Sequence, residues 1–199
     1  MQKLLESDPE LEFVGSVGTA AEAIDYLAAV PVDLVVVDLS LPDLSGLEVI
    51  SRLHSGDANR RLIAMSGAHA TIYAQRAIAR GAAGFVGRGA SADDLLAAMH
   101  QALRGELAVG ASTTAALVHR ALGYRDAAHS DGVATLTPRE LEVFEHIGQG
   151  LGTVQIAQRL GISHKTVETH RSNMKAKLGV GNGRALVRLA IEWQVKGDG

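Results

Sequence analysis

Residues 136–190 read LTPRELEVFEHIGQGLGTVQIAQRLGISHKTVETHRSNMKAKLGVGNGRALVRLA, and this stretch decides the fold of the second half of the chain. Thr137 is a helix N-cap, with Pro138 at the first helical position and Glu140 at the third, which is a capping-box pattern. Gly161 breaks a short second helix, and Ser163 caps a third. Two helices joined by a tight glycine turn are the layout that lays a recognition helix in the major groove of DNA.

The third helix of this stretch, about Lys165–Leu178, has one apolar face, formed by Val167, Met174 and Leu178. Its other face is polar, as groove entry requires, because lysines meet phosphates and Glu168 can accept from a cytosine amino group. A merely solvated helix face is the alternative, but polarity alone does not explain the capped helix–glycine–helix arrangement. The candidate DNA contacts are Lys165, Thr166, Glu168, Thr169, Ser172, Asn173 and Lys175.

This block resembles the LuxR-type helix-turn-helix almost from end to end, over about a third of the chain. The resemblance implies binding to double-stranded DNA as a homodimer. The last helix has an apolar stripe of Leu186, Leu189, Ala190 and Trp193. Core packing explains that stripe, while the resemblance implies a dimer contact through Leu186, Leu189 and Trp193, and both interpretations stay open.

Composition and charge separate the two halves of the chain. The net charge is −3, but residues 1–130 hold 10 basic and 15 acidic side chains, whereas residues 131–199 hold 9 and 7. An acidic module joined to a mildly basic one fits a regulator with a nucleic-acid-binding end. The chain has no cysteine, no apolar run of membrane-spanning length and no signal layout, so we expect a soluble, cytoplasmic protein without a membrane partner.

Strands and helices alternate over the first hundred residues, which predicts a doubly wound α/β domain with a parallel sheet. The run Val32–Asp38 has a continuous apolar centre, Leu34–Val37, as in a strand buried on both faces of such a sheet. The predicted strands are Leu11–Ser16, Val32–Asp38, Leu62–Ser66 and Ala83–Val86, and the predicted helices are Ala20–Ala29, Leu44–His54, Ile72–Arg80 and Ala92–Leu103.

Asp38 ends the most apolar strand, and active groups of doubly wound sheets lie at that edge. A loop containing Pro42 and Gly46 follows and leaves room for a small anion. Capping of the next helix is the simpler role for Asp38. An aspartate-nucleophile phosphatase is a remote alternative, since it needs a second acid two residues later, where Ser40 stands. We therefore expect a regulator and not an enzyme.

This half resembles the receiver domain of response regulators, and the order of the two halves is that of the NarL/FixJ type. The resemblance implies that Asp38 accepts a phosphoryl group from a sensor histidine kinase, and that the Ser40 carbonyl and Asp38 would bind Mg²⁺. It implies that Ser66 hydrogen-bonds the phosphoryl group and that Phe85 changes rotamer. Arg88 stands in the place of the phosphate-pairing lysine, and its planar fork does not replace an ammonium without cost.

The resemblance is incomplete at the N-terminus, because the opening MQKLLESDPELE resembles the tail of the first helix of a receiver. The first strand and its Mg²⁺-binding acidic pair would precede it, so we expect Mg²⁺ only if that pair is supplied upstream. We expect Asp38 otherwise to be a poor acceptor. A receiver that works without phosphorylation is the alternative.

Loss of the first strand would leave a gap between Leu11–Ser16 and Val32–Asp38. Either these two strands pair directly, or another chain fills the gap, or the protein starts upstream, which we favour. The fold class expected is an α/β receiver-like, flavodoxin-like domain that is incomplete at its N-terminus, followed by an all-α helix-turn-helix domain. We place the receiver-like domain at residues 1–104, a linker with one helix at 105–133, and the DNA-binding domain at 134–199.

Overall fold

The computed structural model of the chain describes residues 2–5, 7–67, 69–122 and 132–197. The chain divides into two compact units, one formed by residues 1–41 and 46–114 and the other centred on residues 115–199. Part of the predicted linker, residues 123–131, lies outside the described residues. In the described part of the chain, no helix is long and apolar enough to cross a membrane.

Helices and strands alternate through the first unit, as predicted. Thr19 and Ser91 begin two of the helices with capping boxes, in which the side chain of each accepts from the third helical backbone N–H. The elements are α1 (Gln2–Leu5), α2 (Ala20–Ala29), β1 (Leu34–Asp38), α3 (Gly46–Gly56), β2 (Arg61–Ser66), α4 (Ala70–Ile78), β3 (Gly84–Gly87), α5 (Ala92–Leu103), β4 (Ala108–Val109) and α6 (Ala111–Ala121).

The strands form one parallel sheet in the order β1-β2-β3-β4. Successive residues of β2 are buried on opposite faces, because side chains alternate along a strand. Ile63 packs with Val86 and Met99 in a cluster formed with α5. Leu62 and Ala64, on the other face, are fully buried as well. Burial on both faces explains the apolar run of β2. The expectation of a strand buried on both faces is wrong for β1, because β1 ends the described sheet and only Val37 of it is buried.

The prediction of a strand at Leu11–Ser16 is wrong, because residues 11–17 belong to no strand. A strand exists only where its backbone finds a ladder partner, and β1 pairs with β2 and not with this segment. A side chain holds the segment instead, since the Tyr26 hydroxyl donates to the Val14 carbonyl oxygen at 2.8 Å. The direct pairing of Leu11–Ser16 with Val32–Asp38 that we considered therefore does not occur.

The segment predicted as linker begins with a strand that the sequence did not reveal. β4 pairs with β3 in parallel register, with Ala108 opposite Gly84. The approach is close, because a Cβ atom at Gly84 would lie only 2.6 Å from the Ala108 carbonyl oxygen. Two residues of β-structure carry too little periodicity to be recognised in sequence.

The second unit contains four α-helices among its described residues after 132, and the turn glycine predicted between two of them is present. Gly161 adopts φ +61°, a left-handed conformation that L side chains rarely adopt. Phe144 and Trp193 pack with their ring centroids 5.5 Å apart in the core. The helices are α7 (Pro138–Gly148), α8 (Thr153–Arg159), α9 (His164–Lys177) and α10 (Gly183–Gly197).

Candidate functional site

Asp38 is the last residue of β1, and its side chain lies at the carboxyl edge of the sheet. The Cα partner of Asp38 across the ladder is Met65, so the adjacent residue Ser66 ends the neighbouring strand at the same edge. The backbone N–H of Ser40 donates to Asp38 Oδ1 at 2.9 Å. Gly46 allows α3 to begin against this tip, because a Cβ atom there would lie 2.5 Å from the Asp38 carbonyl oxygen.

Arg88 comes directly after β3 and reaches Asp38 across the edge of the sheet. Its Nη2 nitrogen lies 2.7 Å from both carboxylate oxygens of Asp38. The backbone N–H of Arg88 also donates to the Ser66 carbonyl oxygen at 2.7 Å. The predicted neighbourhood of Asp38, Ser66 and Arg88 therefore exists, although the residues are far apart in sequence.

Two residues expected to support Asp38 are buried. Ser66 is 5% exposed at the tip of β2. Phe85 is 3% exposed within β3, where its Cα partners are Ala64 and Val109. The fold thus places Ser66 at the edge next to Asp38, and it places Phe85 in the core beneath that edge.

The residues around Asp38 do not fit the Mg²⁺ ion that receivers bind. Mg²⁺ requires several oxygen ligands in near-octahedral geometry. Within the ranges that the structure describes, no three His, Cys, Asp or Glu side chains are grouped so that they could hold a metal ion. Both oxygens of Asp38 already contact a guanidinium nitrogen. We therefore derive no chemistry here through a metal.

The recognition helix predicted at about Lys165–Leu178 is α9, which begins at His164 behind the Ser163 cap. Val167 and Met174 are fully buried on its inner face. The candidate DNA contacts lie on the other side, where Lys175 is half-buried and the rest are exposed, namely Lys165, Thr166, Glu168, Thr169, Ser172 and Asn173. No carboxylate of the described residues lies within salt-bridge distance of Lys165 or Lys175, so both cations are available to a polyanion.

Several of these candidates also have partners inside the protein. The Thr153 hydroxyl donates to Glu168 Oε1 at 2.6 Å, and Arg171 Nε lies 3.7 Å from the same oxygen. The Thr169 hydroxyl donates to the Lys165 carbonyl oxygen at 3.0 Å. The contact between Thr153 and Glu168 joins α8 to α9, and it holds the Glu168 carboxylate in a defined position.

A part-buried ion pair, missed by the sequence analysis, fixes α9 against α7. Lys177 Nζ lies 2.6 Å from Glu140 Oε2, and only 4% of the Glu140 side chain is exposed. The same carboxylate accepts from the Thr137 backbone N–H at 2.8 Å. Arg139 forms a separate ion pair with Glu142 at 2.7 Å and donates to the Leu160 carbonyl oxygen. The available sequence signal was that Val143 and Phe144, which lie three and four residues after Glu140 and so share its helix face, are apolar.

Burial and bonding act in opposite directions on the pKa of Glu140. Burial is the largest influence and raises it, but the Lys177 and Thr137 hydrogen bonds together outweigh burial and lower the pKa below its usual value. Burial lowers the pKa of His146 and also that of His170 on α9. The folded unit thus favours an ionised Glu140 and the neutral forms of His146 and His170.

The dimer contact predicted from the apolar stripe of α10 needs correction. Leu186 and Trp193 are 0% and 4% exposed because they pack into the core of their own unit, and Leu189 is half-buried. Core packing is therefore the correct interpretation for Leu186 and Trp193, whereas the dimer contact predicted for Leu189 stays a prediction. A second apolar row lies on the outer side of α10, with Ile191 44% and Val195 70% exposed. The four-residue spacing of Ile191 and Val195, which places both on one side of a helix, was the sequence signal that could have revealed this row.

The family models match both halves of the chain. Residues 1–100 match the model described as "Response regulator receiver domain", and residues 134–190 match "Bacterial regulatory proteins, luxR family". The chain belongs to the response regulators. This two-component response regulator joins a receiver domain to a LuxR-type DNA-binding domain, as the NarL/FixJ type does, and the predicted family and fold class are confirmed.

Curated relatives of this response regulator are transcription regulators. The transcriptional regulatory protein UhpA of Escherichia coli (strain K12) is 36% identical over 94% of this chain and 88% of that protein. The nitrate/nitrite response regulator protein NarL of the same strain is 30% identical over 89% of this chain and 82% of its own length. Both are regulators, which fits the expectation that this chain is not an enzyme.

Solved structures confirm the fold over nearly the whole chain. A structure of the Salmonella typhimurium response regulator RcsB matches with a TM-score of 0.69 and 21% identity, over 96% of this chain and 90% of the other. RcsB bound to the promoter P1flhDC in the presence of the phosphomimetic BeF3⁻ matches with a TM-score of 0.64 and 23% identity. That match covers 94% of this chain and 89% of the other.

Proposed function

We propose that this response regulator binds double-stranded DNA as a homodimer through the outer face of α9, and that Asp38 receives the activating phosphoryl group from a sensor histidine kinase. The observation that carries the proposal is the outer face of α9, which holds exposed short polar side chains beside two lysines that lack acidic partners among the described residues. We place the receiver at residues 1–104, the linker at 105–133 and the DNA-binding domain at 134–199. Since DNA is the target, we assign the protein to the cytoplasm.

The outer face of α9 divides by chemistry into two groups. Lys165 and Lys175 supply charge to phosphates and therefore affinity without base preference. Thr169 and Ser172 are short and exposed, so they let the helix backbone approach base edges. A hydrogen bond from the Thr153 hydroxyl holds the Glu168 carboxylate in one orientation. We assign base preference to Glu168, Thr169 and Ser172, with Thr166 and Asn173 beside them.

Selection of duplexes from a random library by the full-length chain tests the DNA-binding proposal. We expect enriched sequences with paired half-sites, and we expect Thr169→Ala or Ser172→Ala to change the enriched bases. Arg52→Ala, on a solvent-exposed pair with Glu48 in the receiver, is the matched control and should leave them unchanged. Absence of binding to every duplex at low salt would contradict the proposal.

Two copies on DNA are expected because a single DNA-binding region carries little excess positive charge. The outer row of α10 supplies a surface for this contact. Val187 and Ile191 line an open groove of about 900 Å³, together with Arg171 and Arg184. We propose that this row, and not Leu186 or Trp193, meets the second copy. Footprinting should show two half-sites about one helical turn apart, or a small multiple of that distance.

Ile191→Asp should lower the affinity for the paired site while leaving the fold intact, because Ile191 is exposed. Arg52→Ala, on the solvent-exposed pair with Glu48 in the receiver, lies away from this groove and is the control that should bind as the unchanged protein does. Protection of one isolated half-site by a single copy would contradict the proposed homodimer.

Asp38 suits phosphoryl acceptance because its carboxylate is 42% exposed at the sheet edge beside Ser66 and Arg88. A carboxylate oxygen of Asp38 would form the new bond to phosphorus while the bond from phosphorus to the kinase histidine breaks. The charge of Arg88 would then lie next to the phosphoryl oxygens. Mg²⁺ supplies charge neutralisation in receivers that hold it.

Intact-mass measurement after incubation with acetyl phosphate tests the acceptor. We expect slow addition of one phosphoryl group, and none in Asp38→Asn. Ser40→Ala, whose contact with Asp38 is through the backbone, is the control that should be labelled normally. Labelling of another residue, or complete inertness toward the cognate kinase as well, would contradict the role proposed for Asp38.

A further inference from the structure

We propose that Arg88 is the resident counter-ion of Asp38 and keeps divalent cations off this carboxylate, so that the Asp38–Arg88 ion pair defines the resting state of the receiver. The inference rests on the proposed role of Asp38 as the input site, and it names how that site is held before phosphorylation.

The geometry supports competition between Arg88 and a cation. One guanidinium nitrogen lies 2.7 Å from both oxygens of Asp38, and the remaining contact to Oδ1 comes from the Ser40 backbone N–H at 2.9 Å. In all three contacts, an N–H group that carries positive or partly positive charge donates to the Asp38 carboxylate. A cation that used the same oxygens would have to displace Arg88 or accept a unit positive charge a few ångströms away.

The place of Arg88 in the fold keeps its side chain within reach of Asp38. Its backbone N–H is bonded to the Ser66 carbonyl oxygen at 2.7 Å, which anchors the residue at the junction of β2 and β3. From that anchor the side chain crosses the edge of β2 to the tip of β1. A guanidinium is always charged and is weakly hydrated, so it stays paired with a carboxylate more readily than an ammonium does.

Few ligands near Asp38 are available to bind a divalent cation. Asp38 is one carboxylate, and across the described ranges no further acidic or imidazole side chains group with it to complete a metal site. Mg²⁺ dehydrates reluctantly and is usually held by one or two carboxylates together with waters and substrate phosphates, so the single carboxylate of Asp38 is a minimal site. We therefore expect the resident guanidinium to compete effectively with a divalent cation for this one carboxylate.

Line broadening of backbone amide resonances by Mn²⁺ tests the proposal on the full-length chain, without phosphodonor or DNA. The amides of Leu39 and Ser40, which follow Asp38, and of Met65, its partner on β2, report binding there. We expect Arg88→Ala to bind Mn²⁺ at this edge at least about tenfold more tightly than the unchanged protein, because a unit of nearby positive charge is removed. Asp38→Asn in the Arg88→Ala background should abolish the broadening.

Arg80→Ala is the matched control, because Arg80 lies in the same unit and donates to the Arg76 carbonyl oxygen instead of a carboxylate. It should leave Mn²⁺ binding unchanged. Three results would overturn the inference: submillimolar Mn²⁺ binding at Asp38 in the unchanged protein, no gain in Arg88→Ala, or an equal gain in Arg80→Ala. None of these results depends on DNA binding or on phosphorylation, so the proposed function stands or fails separately.

Discussion

The two units of the molecule each carry an ion pair between distant residues, but the environments differ. In the DNA-binding unit, the pair of Glu140 and Lys177 has side chains 4% and 35% exposed. In the receiver, the side chains of Asp38 and Arg88 are 42% and 51% exposed. A buried carboxylate that loses its partner is strongly destabilising, whereas an exposed pair contributes little to stability.

The difference indicates what each pair does. Glu140 also caps α7, so its pair with Lys177 fixes α9 in the orientation in which its polar face is exposed. The pair in the receiver is exposed enough that a phosphoryl group could reach Asp38 and that Arg88 could move. The part-buried pair therefore holds the output surface in place, and the exposed pair is suited to exchange.

Removal of Lys177 should have the largest effect. Lys177→Met leaves Glu140 buried with less compensation, and we expect a loss of about 2–4 kcal/mol, slightly below the usual cost because Lys177 is partly exposed. Urea unfolding followed by Trp193 fluorescence reports on this unit, since Trp193 is the only tryptophan of the chain and is buried. Lys175→Met on the same helix should stay within about 0.5 kcal/mol. Equal losses of unfolding free energy in Lys177→Met and Lys175→Met would contradict the structural role assigned to the pair of Glu140 and Lys177.

Acid should weaken the DNA-binding unit in two steps. The pKa values of His146 and His170 are lowered by burial, so the unfolded chain binds more protons, and stability falls once the pH drops below their unfolded value of about 6.5. The pKa of Glu140 is lowered in the folded state, so its contribution, present above the unfolded value of about 4.3, is lost as the pH falls through the folded pKa.

The urea midpoint of the Trp193 signal, measured against pH, checks this prediction. Glu140→Gln should flatten the step below about pH 4.5, where its pKa shift acts, and leave the step at higher pH in place. An unfolding midpoint that rises as the solution is acidified from pH 7 would have the wrong sign for all three groups.

Loss of the receiver pair should have the smallest effect on stability. Arg88→Ala leaves Asp38 in contact with water, so we expect a change below about 1 kcal/mol. Hydrogen exchange of the β1 and β2 amides measures it, with Arg52→Ala on the exposed pair with Glu48 as the matched control. A loss comparable to that of Lys177→Met would show that the two pairs do not differ as proposed.

The sequence predicted the features that depend on local chemistry. The Thr137 capping box, the Gly161 turn and the polar side of α9 follow from neighbouring residues, and each is present. The tip position of Asp38 follows from the apolar run before it. Leu11–Ser16 had the pattern of a strand, but ladder formation depends on a partner that no local pattern reveals.

Long-range contacts explain the remaining differences. The pair of Glu140 and Lys177 spans 37 residues, and that of Asp38 and Arg88 spans 50, so the fold must bring each together. Trp193 was ambiguous because a helix with apolar residues on two sides does not reveal which side faces its own core. Packing against Phe144 resolves that ambiguity.

The salt dependence of DNA binding by the full-length chain tests the central claim most directly, because it counts phosphate contacts without a known operator. We predict a linear fall of log K with log salt concentration, with a slope that drops by about 1 for Lys165→Ala and again for Lys175→Ala. Arg52→Ala should keep the original slope. Slopes that are unchanged by both lysine substitutions, or no binding to any duplex at low salt, would contradict the assignment of α9 as the DNA-binding surface.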